Sequence, residues 1–127
     1  MPWFLSRVIG FAAEEFGGGK FGGESYVNYF IEQMKDHILA IESDAGPFKP
    51  LGFEFTGGSK GKNIITDIAS QLLVSINTTV ITNNGGGADI DPMRSFGVPT
   101  MSPLVANSEY FWFHHGFNSF IKYNNSS

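Results

Sequence analysis

Two glutamates stand side by side where an apolar run ends, in Arg7-Val8-Ile9-Gly10-Phe11-Ala12-Ala13-Glu14-Glu15. Adjacent carboxylates at a strand tip repel each other unless a positive charge separates or joins them. A metal ion with a bound water meets that need: one carboxylate holds the ion and the other accepts the water's proton. The other reading of the pair is two solvated charges at a strand end. Acids and imidazoles recur at two later positions. Glu42 and Asp44 close the run His37-Ile38-Leu39-Ala40-Ile41-Glu42-Ser43-Asp44, and His114 and His115 close Phe111-Trp112-Phe113-His114-His115. Carboxylate oxygen together with imidazole nitrogen suits zinc, manganese or cobalt. Open parallel sheets place ligands outside the carboxyl ends of their strands, so three such ends favour one shared site.

The elements that must position these groups are legible as patterns. Residues 7 to 13 form a short apolar run before Phe16-Gly17-Gly18-Gly19, the mark of a buried strand followed by a loop. The glycines at 17, 18, 19, 22 and 23 are not spaced as a dinucleotide fingerprint, and the acids before them oppose a bound phosphate. Tyr26, Val27, Phe30, Ile31 and Met34 recur at helical spacing, which predicts a helix over 24–35. Residues 37–44 read as a second buried strand. That strand, helix, strand order predicts a right-handed crossover in a parallel sheet. Further on, 52–56 reads as a short extended segment. A helix is expected over 60–75, with Ile64, Ile65, Ile68, Leu72 and Leu73 on one face. Strands are expected at 78–81 and 97–101, and a short helix at 89–95 with Pro92 near its start. No internal repeat or linker divides the chain.

Composition narrows the function classes. The 127 residues suffice for one small domain, and 42% of them are hydrophobic, with 13 Phe and 4 Tyr. A net charge of −4 with scattered Lys and Arg lacks the basic face that nucleic acid requires. The absence of cysteine excludes disulfides, thiolate metal sites and a cysteine nucleophile. No apolar stretch reaches the roughly 18 residues of a membrane span. Met1-Pro2-Trp3-Phe4-Leu5-Ser6-Arg7 lacks the charged start of a signal peptide. A chain that opens into a core strand reads as a fragment of something longer.

The motifs together resemble the co-catalytic zinc exopeptidases, the aminopeptidase and glutamate-carboxypeptidase family. The resemblance rests on Arg7 to Gly17 with its glutamate pair, on Glu42-Ser43-Asp44-Ala45-Gly46, on Gly97-Val98-Pro99, and on Tyr110-Phe111-Trp112-Phe113-His114-His115. It implies a three-layer α/β/α sandwich with a mostly parallel sheet. Residues 1–115 would be a partial zinc-peptidase catalytic domain and 116–127 a divergent, frayed tail. It also implies roles. Glu14 would be the general base. Glu15 and His115 would ligate one zinc and Asp44 the other. The reaction would be hydrolysis of dipeptides or short peptides with a free terminus. The parent would hold two zinc ions and follow a secreted or lysosomal route, and it could pair as a homodimer. The sequons at Asn77, Asn124 and Asn125 matter only on that route.

Two departures from the family pattern shape the expectation. The family takes a His and a metal-bridging Asp from upstream of the glutamate pair, and the 127 residues contain no counterpart in that order. After His115 the family continues with a Ser-His-Gly-Asp-Thr-like segment, where this chain reads Gly116-Phe117-Asn118-Ser119-Phe120. The Asp that would support the ligand histidine is therefore missing. The rival expectation is a non-catalytic remnant that acts as an interaction or packing module. Around the site, Glu42 is expected to give structural support, His114 to be structural, His37 to be a plain strand-edge residue, and Asp89 and Asp91 to cap a helix. Phe111, Trp112 and Phe113 are expected to pack in the core.

Overall fold

The computed structural model describes residues 21–46 and 48–106. Glu14, Glu15, the run 7–13, the motif Tyr110 to His115 with His114 and His115, and the tail 116–127 lie outside them. Helix α1 (Phe21–Tyr29) is followed by a 3-10 segment (Ile31–Asp36), strand β1 (Ala40–Ile41) and strand β2 (Pro50–Thr56). Helix α2 (Ser59–Leu72), a 3-10 segment (Val74–Ile76), strand β3 (Val80–Asn83), helix α3 (Asp91–Arg94) and strand β4 (Thr100–Val105) complete the order.

The strands form a four-stranded sheet in the order β1-β4-β2-β3. The β1–β4 and β2–β3 pairings are parallel and β2–β4 is antiparallel, so the sheet is mostly parallel, as expected. The weakly patterned segment at 52–56 turns out to be central: β2 starts at Pro50 and is paired on both sides. Pro50 is tolerated because it opens the strand. Pro103 sits inside β4. Ala40 and Glu42 donate their N–H groups to the carbonyls of Pro99 and Met101, so alternate residues of β4 turn their backbone towards β1. Pro103 is next in that series, beyond the end of β1, where no described strand needs its missing donor.

Residues directly opposite on neighbouring strands share a face. Ala40 lies opposite Thr100, and Glu54 opposite both Ser102 and Thr82, which places these side chains on one face. Ala40 packs there with Tyr26, Val27, Met34, Ile90, Met93 and Val98, so α1, the first 3-10 segment and α3 cover this face. Phe55 and Met101 point to the other face, where the Phe55 ring lies against Gly57 and Gly61 at the start of α2. Helices on both faces of the sheet are the expected layered α/β arrangement.

Several expected bounds shift, each for a local reason. The helix expected over 24–35 is α1 plus a 3-10 segment, with Phe30 between them. The strand expected over 37–44 is reduced to Ala40–Ile41. His37 is not a strand-edge residue: its Nδ1–H donates to the Gln33 carbonyl, and its Nε2 accepts from the Tyr26 hydroxyl, each at 2.8 Å. A carbonyl can only accept, and that fixes the tautomer. The ring thereby bolts α1 to the end of the 3-10 segment. Helix α2 stops at Leu72, and a left-handed Asn77 (φ 53°) closes the following 3-10 segment. Strands β3 and β4 begin two and three residues later than expected. Helix α3 has Ile90 at its N-cap with no side-chain cap bond, so neither Asp89 nor Asp91 caps it; Asp91 instead pairs with Arg94 at 3.3 Å.

Candidate functional site

The ladder between β1 and β4 runs one bond past β1, because Glu42 N–H donates to the Met101 carbonyl at 3.1 Å. Glu42 thus falls on the same face as Ala40, in line with Ser102, Glu54 and Thr82. A polar row crosses the sheet at this level. Such a row would be costly if it were simply roofed by apolar side chains. The loop that leaves β3 bonds to its Ser102 and Glu42 members, while the Thr82 hydroxyl is buried without a hydrogen-bond partner among the described residues.

That loop turns at Asn84, whose φ is 72°, a conformation that asparagine tolerates better than most residues. It then passes closely over the sheet. The Thr100 hydroxyl donates to the Gly85 carbonyl at 2.8 Å, and Gly86 N–H donates to the Ser102 hydroxyl at 3.3 Å. Glycine is required at two points. A Cβ on Gly85 would fall on the Glu54 carbonyl, and a Cβ on Gly87 would fall on the Glu42 carboxylate. The loop ends where Glu42 Oε2 accepts the N–H groups of Asp89, at 2.9 Å, and Ile90, at 3.3 Å. Glu42 is half-buried there. Burial raises its pKa above the ordinary 4.5, the Asp89 amide bond lowers it, the charges of Asp89 and Asp44 raise it, and the Ile90 amide lowers it. The net direction is upward: the two amides do not fully offset burial among acids.

Asp44, the expected ligand in this stretch, is exposed just beyond Glu42. The structure therefore separates the two acids of Glu42-Ser43-Asp44. Glu42 is committed to backbone amides, and Asp44 is open to an outside partner. The expected structural role of Glu42 takes this form. Among the described residues, no three of His, Cys, Asp and Glu gather into a group able to hold a metal. Two of the three expected ligands, Glu15 and His115, and the expected base, Glu14, lie outside those residues. What was not foreseen from the residues is the loop that reaches Glu42. Its signal was the triplet Gly85-Gly86-Gly87, which marks a close backbone approach but not its target.

Known proteins share this segment. Carboxypeptidase Q from Xenopus laevis is 38% identical to the chain over 109 residues, which are 86% of this chain and 23% of the relative. Carboxypeptidase Q from Homo sapiens is also 38% identical over 86% of the chain and 22% of its own length. A crystal structure of a peptidase M28 precursor from Shewanella amazonensis SB2B superposes with a TM-score of 0.68 at 26% identity, covering 82% of this chain and 23% of that one. No protein-family model matches the chain. The chain thus spans less than a quarter of the length of the relatives it matches. Over the stretch compared, the chain is similar in sequence to carboxypeptidase Q, at 38% identity, and shares the fold of the peptidase M28 precursor.

Proposed function

We propose that this chain carries part of the metal-binding and proton-transfer machinery of a zinc-dependent exopeptidase acting on dipeptides or short peptides. The observation that carries the reading is the division of labour at the tip of β1. In a relative of carboxypeptidase Q, Asp44 stands exposed beyond the strand while Glu42 is tied to the amides of Asp89 and Ile90. An exposed carboxylate at a strand's carboxyl end suits a hard or borderline cation. In this reading Asp44 holds one zinc, and Glu15 and His115 hold the other. When bound, zinc acidifies a water and polarises the scissile carbonyl. Glu14 would be the proton carrier, accepting a proton from the attacking water and delivering it to the leaving amine. The secretory or lysosomal route is part of the same proposal. Asn77, exposed at its left-handed turn, suits the sequon it heads.

A catalytic zinc usually has three protein ligands. With only Glu15, Asp44 and His115 to share between two ions, the 127-residue chain is expected to bind zinc weakly and to cleave dipeptides slowly or not at all. Calorimetric titration with zinc tests this, comparing the wild type with Asp44→Ala plus His115→Ala. A weak heat that the double variant loses supports the site. Equal, negligible heats favour the second reading, a non-catalytic packing module. That reading draws on the apolar residues that α2 turns outward, Ile64, Ile68 and Leu72. A clear dipeptidase rate abolished by Glu14→Gln would overturn the expectation of weak activity.

A further inference from the structure

We propose that Glu42 is a positioning residue, which fixes the tip of β1, and Asp44 with it, against the loop that leads into α3. The proposal rests on the metal-site reading for its use of Asp44, but its geometry is independent of it. β1 is only the two residues Ala40–Ile41, and the backbone of 42–44 has no regular structure. A strand so short cannot by itself hold a carboxylate beyond its end in one place. The ladder bond from Glu42 N–H to Met101 fixes one side of residue 42, and the side chain fixes the other. One carboxylate oxygen, Oε2, takes both the Asp89 and the Ile90 amide. These amides belong to residues 47 and 48 positions further along the chain, so the bond joins two segments that sequence does not.

The receiving side is itself held. Thr100 grips Gly85, Ser102 grips Gly86, and Ile90 is buried in the core with Met93. Asp91 N–H also donates to the Gly87 carbonyl at 2.9 Å, closing the loop onto the start of α3. The loop is therefore a fixed anchor. The absent Cβ at Gly87 leaves the space that the Glu42 carboxylate fills. Oε2 of Glu42 is committed to these two amides, which suits a residue that holds the chain next to an ion.

The test uses four variants of the chain, two readouts, and zinc itself as the probe. Glu42→Ala removes the carboxylate, Gly87→Ala places a methyl group where it sits, Glu42→Gln keeps an acceptor oxygen, and Asp44→Ala removes the proposed ligand. Amide hydrogen exchange at Asp89 and Ile90 is expected to quicken about tenfold in Glu42→Ala and Gly87→Ala, and to stay near wild type in Glu42→Gln and Asp44→Ala. Zinc affinity by calorimetry is expected to fall about tenfold in the first two, to be kept by Glu42→Gln, and to be lost in Asp44→Ala. Unchanged exchange in Glu42→Ala overturns the latch. Quickened exchange with unchanged zinc affinity, where Asp44→Ala loses zinc, overturns the positioning role. If Asp44→Ala leaves zinc affinity unaltered, the metal-site reading fails instead, and faster exchange across 43–46 in Glu42→Ala then decides whether Glu42 holds the tip.

Discussion

The two helical flanks of the sheet are built on opposite terms. On one, α1, the first 3-10 segment and α3 bury Tyr26, Val27, Met34, Ile90 and Met93 around Ala40, and a loop hydrogen-bonds to Thr100, Ser102 and Glu42 beside them. On the other, α2 meets the sheet through small residues. Gly57 and Gly61 lie against Phe55, and Ala69 is the helix's buried residue. Its larger apolar residues look outward, with Ile64 50%, Ile68 47% and Leu72 70% exposed. Hydrophobic spacing was stronger in α2 than in α1, yet α1 is the better buried. Periodicity shows that a helix has an apolar face; it does not show which neighbour covers that face.

This contrast can be broken by experiment. The largest effect should come from Met34→Ala, because Met34 is 1% exposed and its loss leaves a cavity. The expected cost is about 3 kcal/mol in urea unfolding. A loss below about 1 kcal/mol would mean that the α1 flank is no firmer than α2. Next comes Thr100→Val. Thr100 is fully buried and its hydroxyl donates to Gly85, so the variant strands a buried carbonyl. About 1–2 kcal/mol is expected, read from the same unfolding curves.

A smaller, pH-dependent difference sharpens the picture of the loop. The folded state raises the Glu42 pKa, chiefly by burial. A raised carboxyl contributes stability that is present below its unfolded value and lost as pH rises through the folded one. Melting temperatures in chelator should therefore show wild type losing more stability than Glu42→Gln between the ordinary glutamate range and neutral pH. Parallel pH curves for the two proteins would contradict the burial of that carboxylate. The smallest effect is expected on the outer flank. Leu72→Ala should change stability by no more than about 0.5 kcal/mol, since the side chain leaves little water behind on folding. A larger loss by urea unfolding would show that the face is covered.

Much of the framework was legible from the residues. Helix α2, the short helix near Pro92 and the mostly parallel sheet follow from spacing and from glycine and proline punctuation. Motif resemblance pointed to the peptidases that the comparisons support. Other features were hidden because they depend on distant partners. β2 looked marginal from 52 to 56, where only Phe53 and Phe55 carry a weak apolar alternation, yet it is one of the two strands with neighbours on both sides. The 37–44 run looked like a full strand, but the His37 N–H is taken by the Met34 carbonyl as the 3-10 segment ends, and past Ile41 the ladder to β4 keeps the Glu42 N–H bond to Met101. Of the candidate site, Asp44 and its neighbour Glu42 are placed. The assembly of Glu14, Glu15 and His115 around them lies outside the described residues.

The brevity of β1 also bears on how the chain meets copies of itself. Beyond Met101 the outer side of β4 has no described strand beside it, and an open edge is where one protein's backbone can seed pairing with another's. Pro103 falls within that stretch. A strand arriving there would find an acceptor but no donor at the middle of the gap, so the ladder could not run on. Pro103 thus blunts edge-to-edge association along the stretch of β4 that no described strand covers.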